Sequence, residues 1–249
     1  MSYSVLLFHE IRESGMLRRG QTSPIEVAQA YEDQLPAALF VTLEQFAEQM
    51  AYLAENNYRT LTLSELEYYH YDNAELPEKS VLLTFDDCYQ SIGLYAYPIL
   101  KKYGFHATVF VVSGWLNAQP KRFTPEHSVC MTQADLAQMT DVFEYANHTD
   151  SFHTRLDATT SRMMMASDSE LIADLQRCNG NPLVGAKTVF AYPFGLFSAQ
   201  NVNLLREEGF RLAFTCEPGR NETTTDPLLL KRNVIPYMMD MDTFRHVAG

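Results

Sequence analysis

The run SVLLTF at positions 80–85 constrains this chain more than any other stretch, because it presents apolar side chains on both faces until it meets Asp86. A strand of that kind is buried on both sides, which parallel sheets covered by helices provide. The rest of the chain repeats the pattern. SVLLFH (4–9) reads as a first strand, and Thr42 as the N-cap of a helix whose Phe46, Met50 and Leu53 fall at i, i+4 and i+7. Strands are predicted at 59–63, 107–112, 142–147, 187–192 and 210–215, and helices at 95–105 (ending near Gly104), 132–139, 168–178 and 198–210. Seven or eight strand–helix repeats in 249 residues, with no linker between them, predict one domain over 1–249 built on parallel βαβ units.

The net charge of −12 comes with no basic cluster beyond the pairs at 18–19 and 101–102, which argues against a nucleic-acid partner. Cys88, Cys130, Cys178 and Cys216 are scattered without C-x-x-C spacing and read as reduced thiols. The first eleven residues have no basic stretch and only a four-residue apolar run, so neither a leader nor a membrane span is expected and a cytoplasmic location follows; a leader already removed would read the same. Nothing in the pattern specifies an oligomeric state.

The unusual polar groups all follow predicted strand ends: His9, the Asp86–Asp87 pair, His148 and the YPFG turn at 192–195. In a parallel barrel these ends share one face, where active sites are built. Adjacent carboxylates point to different partners, so one can ligate a cation while the other acts as a base. His148 and His153, five apart on a loop, would complete a two-imidazole, one-carboxylate set with open positions on a divalent ion. A cap for the acids and solvated loop histidines are the plainer alternatives. Trp115 fits sugar stacking and core packing equally, the methionines of 160–167 suit packing, and His70, His106 and His127 have no partner motif.

TFDD (84–87), NHTDSFH (147–153) and FAYPFG (190–195), in that order, resemble the polysaccharide deacetylases, the NodB-homology group or carbohydrate esterase family 4, and the likeness runs from about 4 to 236. The histidine spacing is similar to the branch acting on poly-β-1,6-N-acetylglucosamine. The resemblance implies a distorted (β/α)7-type barrel of mostly parallel strands and metal-dependent release of acetate from an N-acetylhexosamine-containing saccharide. It implies Asp87, His148 and His153 as metal ligands, Asp86 as general base and the Tyr192 amide as an oxyanion donor. Zn²⁺ suits that ligand set, with Co²⁺ or Ni²⁺ as alternatives.

Three positions depart from the family pattern. Cys88 stands where glycine is usual after the acid pair, placing a thiol beside the expected metal. Thr188 replaces an arginine, leaving Arg232 as the candidate to orient Asp86. For the general acid, His9 is preferred to His246, which lies near the C-terminus. A C–N hydrolase acting on a small non-sugar amide or imide, and a saccharide-binding protein without turnover, remain the alternative functions.

Overall fold

The strand repeats curl into a distorted barrel in the computed structural model, which describes residues 2–17, 20 and 22–249; the arginine pair at 18–19 lies outside the described residues. Eight strands run parallel among them: β1 (Ser2–Phe8), β2 (Arg59–Thr60), β3 (Ser80–Asp86), β4 (Ala107–Val111), β5 (Phe143–Asn147), β6 (Ala186–Ala191), β7 (Leu212–Phe214) and β8 (Asn233–Val234). The neighbour order is β7-β6-β5-β4-β3-β1, with β8 on the far side of β1 and β2 against the start of β3. Phe214 bridges to Leu230 in parallel, so the segment leading into β8 joins the two edges of the sheet. The distortion is visible between Ala146 and Asn147, where the register with β6 jumps from Ala186 to Phe190.

The central strand β3 is buried at all seven positions, as expected for a strand covered on both faces. Helix α1 (Leu43–Glu55) turns fully buried Phe46, Met50 and Leu53 onto this core. Among the described residues five helices begin with a capping box, at Thr42–Gln45, Thr62–Glu65, Thr132–Asp135, Ser167–Glu170 and Ser198–Asn201, each side chain satisfying the other residue's free amide. The cap at Thr62 also explains why the strand predicted at 59–63 is only Arg59–Thr60: α2 (Leu63–Tyr71) starts within it. The helix predicted at 95–105 opens as a π turn at Ile92–Ala96 and continues as α3 (Tyr97–Tyr103), ended by Gly104 at φ +66°. Among the described residues no helix is long and apolar enough to cross a membrane.

Beneath α2, the buried Tyr3 hydroxyl is hydrogen-bonded to His70 Nε2 at 2.9 Å. Burial lowers His70 from its ordinary 6.5 to about 4. The folded value lies below the unfolded one, so above pH 6.5 the ring is neutral in both states, and as pH falls toward 4 the unfolded chain binds a proton that the buried ring refuses and stability is lost. His70→Gln is therefore expected to flatten the fall of stability between these pH values in urea denaturation. An unchanged slope would assign that pH dependence elsewhere.

Candidate functional site

One cleft of about 260 Å³ opens at the C-terminal ends of the parallel strands and is lined by His9, Asp86, Asp87, His148, His153, Phe194 and Cys216. Each follows or ends a strand: His9 after β1, the acid pair at the end of β3, His148 after β5, Phe194 after β6 and Cys216 after β7. The topology thus gathers groups separated by as many as 207 positions in the chain, between His9 and Cys216.

The two carboxylates diverge, as alternation along a strand requires. Asp86 is the last residue of β3, level with Phe110 on β4. Its side chain meets Arg232, whose Nη1 and Nη2 donate to Asp86 Oδ1 and Oδ2 at 2.8 and 2.9 Å. Arg232 is fully buried, donates through Nε to Thr215 O at 2.8 Å, and lies with its guanidinium carbon 5.3 Å from the Phe110 ring centroid. Burial alone would raise the Asp86 carboxyl; the charge of Arg232, aided by His148 and His9, outweighs it and holds the group at about 2. His9 Nε2 is 4.0 Å from Asp86 Oδ2. Burial, opposed by the Asp86 charge, lowers His9 to about 4, so the ring is neutral at pH 7.

Asp87 donates its amide to Phe110 O at 3.2 Å and then turns sharply, with φ of +75° at Asp87 and +59° at Cys88. Two consecutive left-handed L-residues are uncommon and strained, and Thr149 and Phe194, also beside the cleft, share the feature. The turn brings Asp87 Oδ1 to 3.4 Å from His153 Nε2 and 3.8 Å from His148 Nε2. His148 Nδ1 is 2.7 Å from Ala191 O, which places the proton on Nδ1 and leaves Nε2 as a lone pair facing the cluster.

These residues fit a divalent ion. One ligand atom from each of Asp87, His148 and His153 lies within 4.8 Å of the others, and all three residues are buried. Asp87 Oδ1 is a buried oxygen with no hydrogen-bond partner among the described residues, an arrangement that a cation would satisfy. Burial pushes both imidazoles down and so keeps them neutral, the form that ligates. Burial and the neighbouring Asp86 charge push Asp87 well up, a cost that a bound cation would reverse.

Several expectations need correction. The Tyr192 amide donates to Phe214 O at 3.0 Å and its hydroxyl to Leu228 O at 3.0 Å, so the ladder between neighbouring strands holds this residue and its N–H does not face the cleft; Phe194 is the member of that turn which does. Cys88 does not stand beside the ligands. Its thiol is fully buried, lies 3.9 Å from Phe110 O, and is held protonated by burial. What makes the position special is its backbone, since a φ of +59° is one that glycine adopts without penalty. Trp115 is fully buried with its ring 4.6 Å from that of His153, so it braces this histidine and offers no face to a sugar.

Of the two candidate acids only His9 reaches the cleft; His246 is exposed on the C-terminal helix Met241–Ala248. Thr188 bonds Glu67 at 2.9 Å, away from Asp86. His106 and His127 sit 3.3 Å from Glu144 and Glu26, and Met163 is buried while Met165 is 69% exposed, so the methionine run packs only in part. Sequence reasoning missed Asp174, which is fully buried and accepts from Asp150 N, Ser151 N and Ser151 Oγ at 2.7–2.9 Å, holding the loop that carries both histidines. An acid on the apolar face of the helix predicted at 168–178 was the available signal.

Comparisons with known proteins show the family and the fold. A family model described as polysaccharide deacetylase matches residues 73–213. The poly-beta-1,6-N-acetyl-D-glucosamine N-deacetylase of Staphylococcus aureus is 29% identical over 214 residues, covering 83% of this chain and 70% of that protein. Among solved structures, the Streptococcus pyogenes deacetylase PplD in complex with acetate aligns with a TM-score of 0.75 at 22% identity, covering 100% of this chain and 99% of that one. IcaB from Ammonifex degensii aligns with a TM-score of 0.71 at 21% identity, covering 99% and 96%.

Proposed function

This chain belongs to the polysaccharide deacetylase family, and from that premise we propose that it hydrolyses the N-acetyl group of an N-acetylhexosamine-containing saccharide, releasing acetate and a free amine. The observation that carries the reading is the convergence of Asp87, His148 and His153 beside the Asp86–Arg232 pair in one buried cleft. Residues 1–249 are taken as one catalytic domain, and the named relative makes a β-1,6-linked N-acetylglucosamine chain the first substrate to test.

Asp87, His148 and His153 would hold a divalent ion, with Zn²⁺ the best match to the ligand set and Co²⁺ or Ni²⁺ next. Such an ion polarises the acetamide carbonyl and lowers the pKa of water toward about 7. Asp86, kept ionised by Arg232, accepts a proton from the attacking water; the bidentate pair fixes the direction of its lone pairs while lowering its basicity. His9 enters the reaction neutral, 4.0 Å from Asp86, takes over the proton that Asp86 accepted from water and delivers it to the departing amine as the C–N bond breaks, which leaves Asp86 ionised and His9 neutral again. Water has then supplied OH to acetate and H to the amine.

Purified protein is expected to release acetate from N-acetylglucosamine oligomers, to lose that activity on chelation and to regain it with one divalent ion per chain. Cleavage of small imides or formamides with no acetate from any N-acetylhexosamine compound would sink the saccharide reading in favour of a small-amide hydrolase.

A further inference from the structure

The cleft is walled on one side by residues 25–39, which have no regular structure from 27 to 33, and on the other by the chain after His153 and the Pro193–Gly195 turn. Two charged residues of its lining take no part in the steps above. Arg155 Nη2 donates to Asp33 Oδ2 at 2.7 Å, joining the two walls, with the side chains 37% and 36% exposed.

The pair is held in place from both sides. The Arg155 guanidinium lies 5.0 Å from the centroid of the Phe194 ring, and that ring is 4.4 Å from His153. Tyr31, two residues before Asp33, meets Trp115 edge-on at 4.6 Å, the same indole that braces His153. An ion pair this exposed contributes at most about 1 kcal/mol to stability, so stability is a weak reason for it. Its chemistry suits recognition better. Arg155 uses one of its N–H donors on Asp33 and lies over the Phe194 ring, while Asp33 keeps acceptor sites beyond those engaged by Arg155 and the Gln34 amide. A pre-positioned donor and acceptor side by side match the vicinal hydroxyls of a sugar ring.

Size places the sugar. A cavity of about 260 Å³ lies below the roughly 300–1,000 Å³ of pockets that enclose drug-sized ligands, so it takes about one sugar residue and leaves its linked neighbour at the mouth. We propose that Asp33 and Arg155 form the subsite for the sugar residue adjoining the one that is deacetylated. Arg155 donates to that residue's hydroxyls and Asp33 accepts from them, which selects linked chains over the isolated monosaccharide. The proposal rests on the saccharide reading above.

The test measures kcat and KM for acetate release from a β-1,6-linked N-acetylglucosamine tetramer, and tetramer affinity by calorimetry in an Asp86→Asn background. Arg155→Met and Asp33→Asn are each expected to raise KM and Kd about tenfold, with kcat within about twofold and metal content unchanged, as loss of a charged hydrogen bond to the ligand requires. The reversed pair, Asp33→Arg with Arg155→Asp, keeps the ion pair but exchanges donor and acceptor, and is expected to stay weak. Unchanged KM and Kd in the single variants, a fall in kcat at constant KM, or full recovery in the reversed pair would each overturn the subsite. Wild-type protein that releases acetate from no N-acetylhexosamine compound would instead overturn the deacetylase reading, and the subsite with it.

Discussion

Arg232→Met is expected to destabilise the fold by about 3–5 kcal/mol and to lower turnover by at least about 100-fold. Arg232 is fully buried and bonds both oxygens of a carboxylate that is itself only 3% exposed. Methionine nearly fills the volume, so the dominant loss is electrostatic: Asp86 is left as a buried charge without its partner. Adding Asp86→Asn removes that charge, and the double variant should recover much of the stability while remaining inactive. Denaturant unfolding of the two single variants and the double one measures the coupling directly. If Arg232→Met unfolds and turns over like the parent, Arg232 does not hold Asp86.

The second large effect separates binding of the ion from use of the base. His148→Ala, which removes a lone pair fixed by the Nδ1 contact to Ala191, should reduce metal content from about one ion per chain to near none and lower activity by at least about 1,000-fold. Asp86→Asn should leave metal content near the parent's and still lower turnover by roughly 100- to 10,000-fold, because both Asp86 oxygens are engaged by Arg232, although Oδ2 also stands 3.6 Å from His148 Nε2. Metal analysis with acetate release on the same samples decides. An Asp86→Asn protein that loses its ion would place both carboxylates in the metal site, and a His148→Ala protein that keeps the ion and the activity would remove His148 from it.

Much of the site was legible because a parallel strand advertises its end. The apolar run of β3 stops at Asp86, and His9 and His148 likewise directly follow largely buried strands. Parallel topology then places such ends on one face whatever their distance in the chain. Arg232 was recognisable only as an arginine in LLLKRNV; its long side chain reaches Asp86 because the segment leading into β8 sits between the two edges of the sheet.

The misreadings share another cause. The Tyr192 amide, expected as an oxyanion donor, is taken by Phe214 across a strand pair that no local pattern announces. The glycine-like place of Cys88 after the acid pair suggests a side chain near a metal, whereas its φ of +59° turns the thiol into the core beside Phe110. Asp33 and Arg155 stand 122 residues apart with nothing local to mark them, and meet only because two loops form opposite walls of one cleft.

The amino-acid sequence by itself determined the alternation of buried strands and capped helices, and the identity of the polar residues at the strand ends, because periodicity, capping and burial are local or nearly local demands. Only the tertiary structure decided which of those residues face one another: that Asp86 pairs with Arg232, that Asp87 turns toward His148 and His153, that Trp115 braces and Tyr192 is occupied. Those outcomes depend on sheet closure, strand register and two strained residues after β3, which are properties of the assembled barrel and of no single segment of the chain.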